Sequence, residues 1–148
     1  MKLTPRIGHI HLSVSNLDSS IKFYEQLGFR ITAKLPGAAF MSSGSYHHEI
    51  GLNTWGDAKP SAEKTTGLYH VAILYPTRKQ LKEVIISLAR VGVAIEGTAD
   101  HGVSESFYLT DPDNNGIELY FDKPKKEWPR DNGKLVMYTR PLDMKKYL

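Results

Sequence analysis

Two histidines and a glutamate stand where they could grip a divalent metal ion. His9 and His70 each lie near the start of a segment with strand character, Gly8-His9-Ile10-His11-Leu12-Ser13-Val14 and Leu68-Tyr69-His70-Val71-Ala72-Ile73-Leu74. Glu118 sits between Ile117 and Leu119 in the last such segment. Two imidazoles and one carboxylate on one face form a facial triad, which leaves three coordination positions open and suits Fe(II) with O₂. His11 follows His9 by two residues and shares its face in a regular strand, so it is the alternative ligand if the register is shifted. Tyr108 precedes Glu118 by ten residues, across the turn signal Asp111-Pro112-Asp113-Asn114-Asn115-Gly116. Its phenol is therefore expected on the adjoining strand, within reach of an oxygen held by the metal. The sequence contains no cysteine. That excludes disulfides, thiolate ligands and Cys nucleophiles, and leaves imidazole and carboxylate to hold any metal.

The elements that must position these residues repeat. Strand 8–14 is followed by a helix that Asn16 or Asp18 can cap, with Ile21, Phe23, Tyr24 and Leu27 as its apolar positions and Gly28 as its stop. Phe29-Arg30-Ile31-Thr32 reads as a strand, and two more are expected at 38–43 and 46–54, with Ser43-Gly44-Ser45 between them. The second half runs in the same order. After strand 68–74, Thr77 caps a helix reaching Arg90, with Leu81, Val84, Ile85 and Leu88 inward and Gly92 as the stop. Strands are expected near 93–97, 103–110 and 116–121. The separations His9 to His70, Gly28 to Gly92 and Ile50 to Ile117 are 61, 64 and 67 residues, a drift that suits a duplicated module with small insertions. The expected fold is α+β: two paired βαβββ modules whose curved sheets surround a metal-containing cleft. Module one spans 5–55, a linker 56–66 and module two 67–122. Residues 1–128 make one domain, and 129–148 form a C-terminal tail.

On these residues the chain resembles the vicinal oxygen chelate superfamily, which includes glyoxalase I, fosfomycin and bleomycin resistance proteins, and type I extradiol dioxygenases. The likeness spans about 7–128. It rests on the opening Gly-His-Ile-His-Leu strand, Phe23-Tyr24-Glu25-Gln26-Leu27-Gly28-Phe29, Gly67-Leu68-Tyr69-His70, and Asp111 through Leu119. The segments Tyr46–Trp55 and Asp100–Leu109 are similar to those of catechol 2,3-dioxygenase-like proteins, many of which carry two such module pairs where this chain carries one.

The resemblance implies roles. His9, His70 and Glu118 match the metal ligands. His48 matches the acid/base histidine of extradiol enzymes, with His47 expected to point the other way. His101 and Tyr108 match groups that contact substrate. The implied function is metal-dependent extradiol cleavage of a catechol-like vicinal diol, with Fe(II) as the expected metal and Mn(II) next. Glu49 matches a strand position that supplies a fourth ligand in glyoxalase I. The alternative on this scaffold is therefore an isomerase or thiol transferase using Zn, Ni or Mn. A third reading is a non-catalytic resistance-type protein that sequesters a small molecule, often as a homodimer.

Composition narrows the rest. At 41% hydrophobic and 24% charged residues the chain is that of a folded globular protein. The N-terminus Met1-Lys2-Leu3-Thr4-Pro5 lacks the apolar stretch of a secretory signal, and a cytoplasmic location is expected. No membrane partner is expected either, since no apolar run reaches spanning length. The net charge of +3 gathers toward the tail, at Lys123, Lys125, Lys126, Arg130, Lys134, Arg140, Lys145 and Lys146. Asp122, Glu127, Asp131 and Asp143 interrupt it and no nucleic-acid motif accompanies it, so a solvated tail is expected rather than a nucleic-acid site. Trp55, Phe23, Tyr24 and Phe107 read as core or pocket wall. Ser13, Ser43 and Ser104 stand in no nucleophile-elbow pattern.

Overall fold

The computed structural model of the chain describes residues 3–62 and 66–147. Met1, Lys2, Leu148 and the linker residues 63–65 lie outside the described residues. Two compact units are present: Met1–Glu63 with Pro112–Asn114, and Lys64–Asp111 with Asn115–Leu148.

In the first unit the order is β1 (Ile10–Ser13), α1 (Leu17–Gln26), β2 (Arg30–Leu35), β3 (Ala38–Ser42) and β4 (Ile50–Asn53). The sheet runs β1-β4-β3-β2, with β1 parallel to β4 and the other pairs antiparallel. Helix α1 starts where the Asn16 side chain accepts the Ser19 N–H, satisfying a donor that has no partner within the helix. It ends where Gly28 turns to φ +99° and the Phe29 N–H returns to the Tyr24 carbonyl at 3.1 Å. Only a residue at ease in left-handed conformation closes a helix this way without strain. The helix packs on the sheet and buries Ile21, Phe23 and Tyr24. Strand alternation does the sorting: Leu12 and Val14 are buried, while His9, His11 and Ser13 are exposed.

The second unit repeats the plan with β5 (Val71–Leu74), α2 (Arg78–Arg90), β6 (Gly97–Asp100), β7 (Ser104–Thr110) and β8 (Gly116–Asp122), in the order β5-β8-β7-β6. Strand β5 is parallel to β8. Thr77 caps α2 by accepting the Gln80 N–H, and Gly92 (φ +79°) closes it with Val93 N–H on the Leu88 carbonyl at 3.0 Å. Leu81 and Leu88 of α2 are fully buried, as are Phe107 and Leu119, and Leu109 and Ile117 nearly so. Each such aliphatic side chain contributes about 1.5–3 kcal/mol by leaving water. The expected class, α+β with two βαβββ modules, is the observed one.

Three local features depart from the sequence reading. The strand expected at 46–54 begins only at Ile50, because residues 43–49 are irregular. A bulge near Thr32, where the β2–β3 register shifts, frees its hydroxyl to donate to the His47 carbonyl at 2.6 Å, and Arg30 donates to the Gly44 carbonyl at 2.6 Å. The strand expected near 93–97 starts at Gly97, since Gly92 and Val93 are used in closing α2 and ladder bonding resumes at Glu96. Trp55 is not core: it is 62% exposed, its indole N–H donating to the Pro36 carbonyl at 3.3 Å.

The tail is ordered against the second unit. A hairpin of β9 (Arg130–Asp131) and β10 (Lys134–Leu135) turns through Asn132 and Gly133, both at positive φ, as a two-residue hairpin loop requires. Arg140 then bridges Asp100 on β6 through two backbone hydrogen bonds of 2.9 and 3.0 Å. Leu142 and Tyr147 are buried. Among the described residues, no helix is long and apolar enough to cross a membrane.

Candidate functional site

In the second unit the site grows from the parallel pairing of β5 and β8. Ala72 lies opposite Glu118, and His70 precedes Ala72 by two residues on the same face. Its Nε2 comes to 2.9 Å from Glu118 Oε2. Gly116 makes room for this: a β-carbon there would collide with the Tyr69 carbonyl oxygen and would press on His70. Strand β7 brings Tyr108 opposite Glu118, with the phenol oxygen 3.3 Å from Glu118 Oε1. Burial first, and then the Glu118 charge, raise the Tyr108 pKa, so the phenol keeps its proton.

His101 extends this group. Its Nε2 lies 2.6 Å from the Tyr108 hydroxyl, and its Nδ1 lies 3.0 Å from the Tyr138 carbonyl and 3.3 Å from Thr139 Oγ1. Four of the predicted residues, His70, Glu118, Tyr108 and His101, thus form one continuous polar cluster. A tail segment that the sequence left without a role completes it.

In the first unit His9 and His48 meet, with ring centroids 4.5 Å apart. His48 also packs edge-on against Phe40, at 5.0 Å between centroids. His47 does not point away from it as strand alternation would require. The two Nδ1 atoms approach to 2.7 Å, because residues 43–49 lack strand geometry. At that distance one ring donates and the other accepts, so both cannot be charged comfortably. Burial first, then the neighbouring His47, His9 and His11, lower the His48 pKa. Glu49 accepts the Ser43 N–H at 3.0 Å and so caps the turn before β4.

The repeated module shows what became of the other candidate. His11 pairs with Gly51 as Ala72 pairs with Glu118. The first module has a large ring opposite a glycine where the second has a carboxylate opposite an alanine. A β-carbon on Gly51 would lie 2.8 Å from His11 Nδ1. The His11 ring therefore fills the space that the Glu118 side chain occupies in the other module, between Phe40 and Trp55.

The donor set suits a divalent ion of the first transition row: imidazole and carboxylate, partly exposed, with His70 and Glu118 already side by side. His9 stands with His48 in the first unit. Among the described residues, no three His, Cys, Asp or Glu side chains gather closely enough to hold a metal ion by themselves.

Residues 6–119 match the family model of the glyoxalase/bleomycin resistance protein/dioxygenase superfamily. The chain belongs to this superfamily. It is 40% identical over 141 residues to a catechol-2,3-dioxygenase of Bacillus subtilis (strain 168), an alignment covering 93% of this chain and 49% of that protein. It is 30% identical over 125 residues to biphenyl-2,3-diol 1,2-dioxygenase 3 of Rhodococcus globerulus, covering 82% of this chain and 66% of that protein. The chain thus spans about half to two-thirds of the length of these relatives. A glyoxalase/dioxygenase from Nostoc punctiforme shares the fold, with a TM-score of 0.68 at 21% identity over 84% of this chain and 98% of that one.

Two contributors escaped the sequence reading. Thr32 holds the His47–His48 segment through a bulge that no sequence pattern announces. Tyr138 acts through its backbone carbonyl, which carries no residue-specific signal at all.

Proposed function

We propose that the chain is a metal-dependent extradiol-type dioxygenase acting on a catechol-like vicinal diol. The observation that carries this reading is the run of contacts from His70 through Glu118 and Tyr108 to His101. The 40% identity to a catechol-2,3-dioxygenase supports it. In this reading His9, His70 and Glu118 hold the ion, Fe(II) before Mn(II). The ion's chemistry is to bring a diol and dioxygen together at its open positions. Tyr108 and His101 orient the diol by hydrogen bonding, and a fixed donor placed where charge develops lowers the barrier without reorganisation. His48, whose Nδ1 is engaged with His47, has Nε2 left to exchange a proton with a substrate hydroxyl. Glu49 is already bonded to the Ser43 N–H, which favours three ligands over the four of an isomerase-type site. The same reading has the enzyme work in the cytoplasm.

The test is a sample loaded anaerobically with Fe(II), mixed with a panel of catechols and then exposed to O₂. The expected result is a yellow ring-opened product, lost in Glu118→Ala and His70→Ala together with bound iron. An iron-loaded protein that cleaves no member of the panel overturns the reading.

A further inference from the structure

His101 is clamped from behind by the C-terminal tail. The Tyr138 carbonyl lies 3.0 Å from His101 Nδ1, and Thr139 Oγ1 lies 3.3 Å from the same atom. The backbone is locked in step, since the Tyr138 N–H donates to the His101 carbonyl at 3.3 Å. Two residues on, Arg140 exchanges both backbone bonds with Asp100, the neighbour of His101. Gly102, the other neighbour, leaves no space at this contact. A β-carbon there would lie 2.8 Å from the Pro129 ring and 2.9 Å from the Tyr138 ring. The tail therefore seats flush on both sides of His101.

A carbonyl oxygen only accepts hydrogen bonds. A bare Nδ1 at 3.0 Å from it would set lone pair against lone pair. Nδ1 must carry the proton, and in the neutral ring Nε2 is then bare. The Tyr108 hydroxyl, 2.6 Å from Nε2 and 3.3 Å from Glu118, has a single proton to give. The shorter contact places that proton toward His101.

We propose that residues 138–140 belong to the working site: the Tyr138 carbonyl holds His101 as its Nδ1–H tautomer, so that Nε2 is the proton acceptor facing Tyr108. Tyr138 is a positioning residue, acting through His101 by its backbone. The consequence for activity rests on the dioxygenase reading above, but the tautomer does not. When Nε2 accepts a proton, the Tyr138 carbonyl remains in place to stabilise the charged ring. That is the usual service of an orienting acceptor behind a catalytic histidine.

The test uses the full-length chain with ¹⁵N-labelled histidines, His101 being assigned by its disappearance in His101→Asn. Long-range ¹H–¹⁵N correlation distinguishes a protonated from a bare ring nitrogen. In the wild type Nδ1 should be protonated and Nε2 bare. Arg140→Pro deletes one of the N–H groups that fasten the tail and, like Arg140→Ala, lifts the guanidinium from the Tyr138 ring 4.1 Å away, so the difference between the two variants reads the N–H alone. It should shift His101 toward the Nε2–H form, whereas Arg140→Ala, which keeps the N–H, should not. On a catechol that the wild type cleaves, Arg140→Pro should lower kcat about tenfold or more with KM little changed. A wild-type His101 carrying its proton on Nε2 overturns the proposal, as does a folded Arg140→Pro variant with an unchanged tautomer. If Arg140→Pro does not fold, the wild-type spectrum alone decides. Absence of catechol cleavage with an Nδ1–H ring removes the dioxygenase reading and leaves this assignment standing.

Discussion

Arg78 grips Glu105 with two nitrogens, Nε to Oε2 at 2.7 Å and Nη2 to Oε1 at 3.0 Å, and the carboxylate they hold is fully buried. Lys146 and the Tyr147 hydroxyl complete its shell at 3.1 and 2.8 Å. One carboxylate thus ties α2, β7 and the end of the tail together.

Burial works against the charge on Glu105, but the bonds from Arg78, Tyr147 and Lys146 outweigh it and bring its pKa down to about 2, from 4.5. A group whose pKa is depressed by folding adds stability that is complete above the unfolded value and is lost as pH falls toward the folded one. The window is pH 4.5 to 2, and the difference amounts to about 3 kcal/mol. Urea unfolding midpoints measured between pH 6 and 2 should fall more steeply in the wild type than in Glu105→Gln. The variant should also be weaker at pH 7, because Arg78 and Lys146 lose their counter-charge. Parallel acid profiles for the two proteins would show that Glu105 is not the group responsible.

Gly51 and His11 should behave as a coupled pair. Gly51→Ala forces the imidazole off its seat, an overpacking cost of about 1–3 kcal/mol. His11→Ala empties that space, so the double variant should recover most of the loss. A double-mutant cycle on denaturant melts measures the coupling. Additive effects would mean that the ring moves aside freely.

Thr32→Val keeps the bulge residue β-branched and removes the hydroxyl bond to the His47 carbonyl. Global stability should fall by about 0.5–1 kcal/mol. The larger effect should be local: amide exchange across residues 43–49 should quicken, while helix α1 stays protected.

Metal binding should raise the melting temperature in proportion to the logarithm of free metal once the site is saturated. In Tyr108→Phe the Glu118 carboxylate loses the polar hydroxyl that stands 3.3 Å from it, and the apparent Kd for metal should rise about 10-fold. Equilibrium dialysis against Fe(II) under argon or against Mn(II) would read this. An unchanged Kd would mean that Tyr108 does not support the ligand set.

Much of the fold could be read in advance because its rules are local. Asn16 and Thr77 cap helices, Gly28 and Gly92 close them, and the Asp111–Gly116 turn sets β7 against β8. Given those elements, Tyr108 opposite Glu118 follows from strand register alone. What could not be read depends on distant partners. The irregular run before His48 is held from Thr32 and Arg30, and the two Nδ1 atoms of His47 and His48 meet only because that run is irregular. The tail's place is set by Glu105, a buried charge at the start of β7, where a charged residue would be expected to face solvent. Trp55 looked apolar enough for the core, yet it stays on the open side of its sheet beside His11.

The bridge between Asp100 and Arg140 has a consequence beyond the site. Strand β6 is the outer strand of its sheet, and such a strand offers unpaired amides to any passing chain. The Arg140 segment occupies those groups at Asp100. The tail thus acts as a guard against fibrillar self-association. A protein shortened before Lys134 would first betray itself by clumping in the tube.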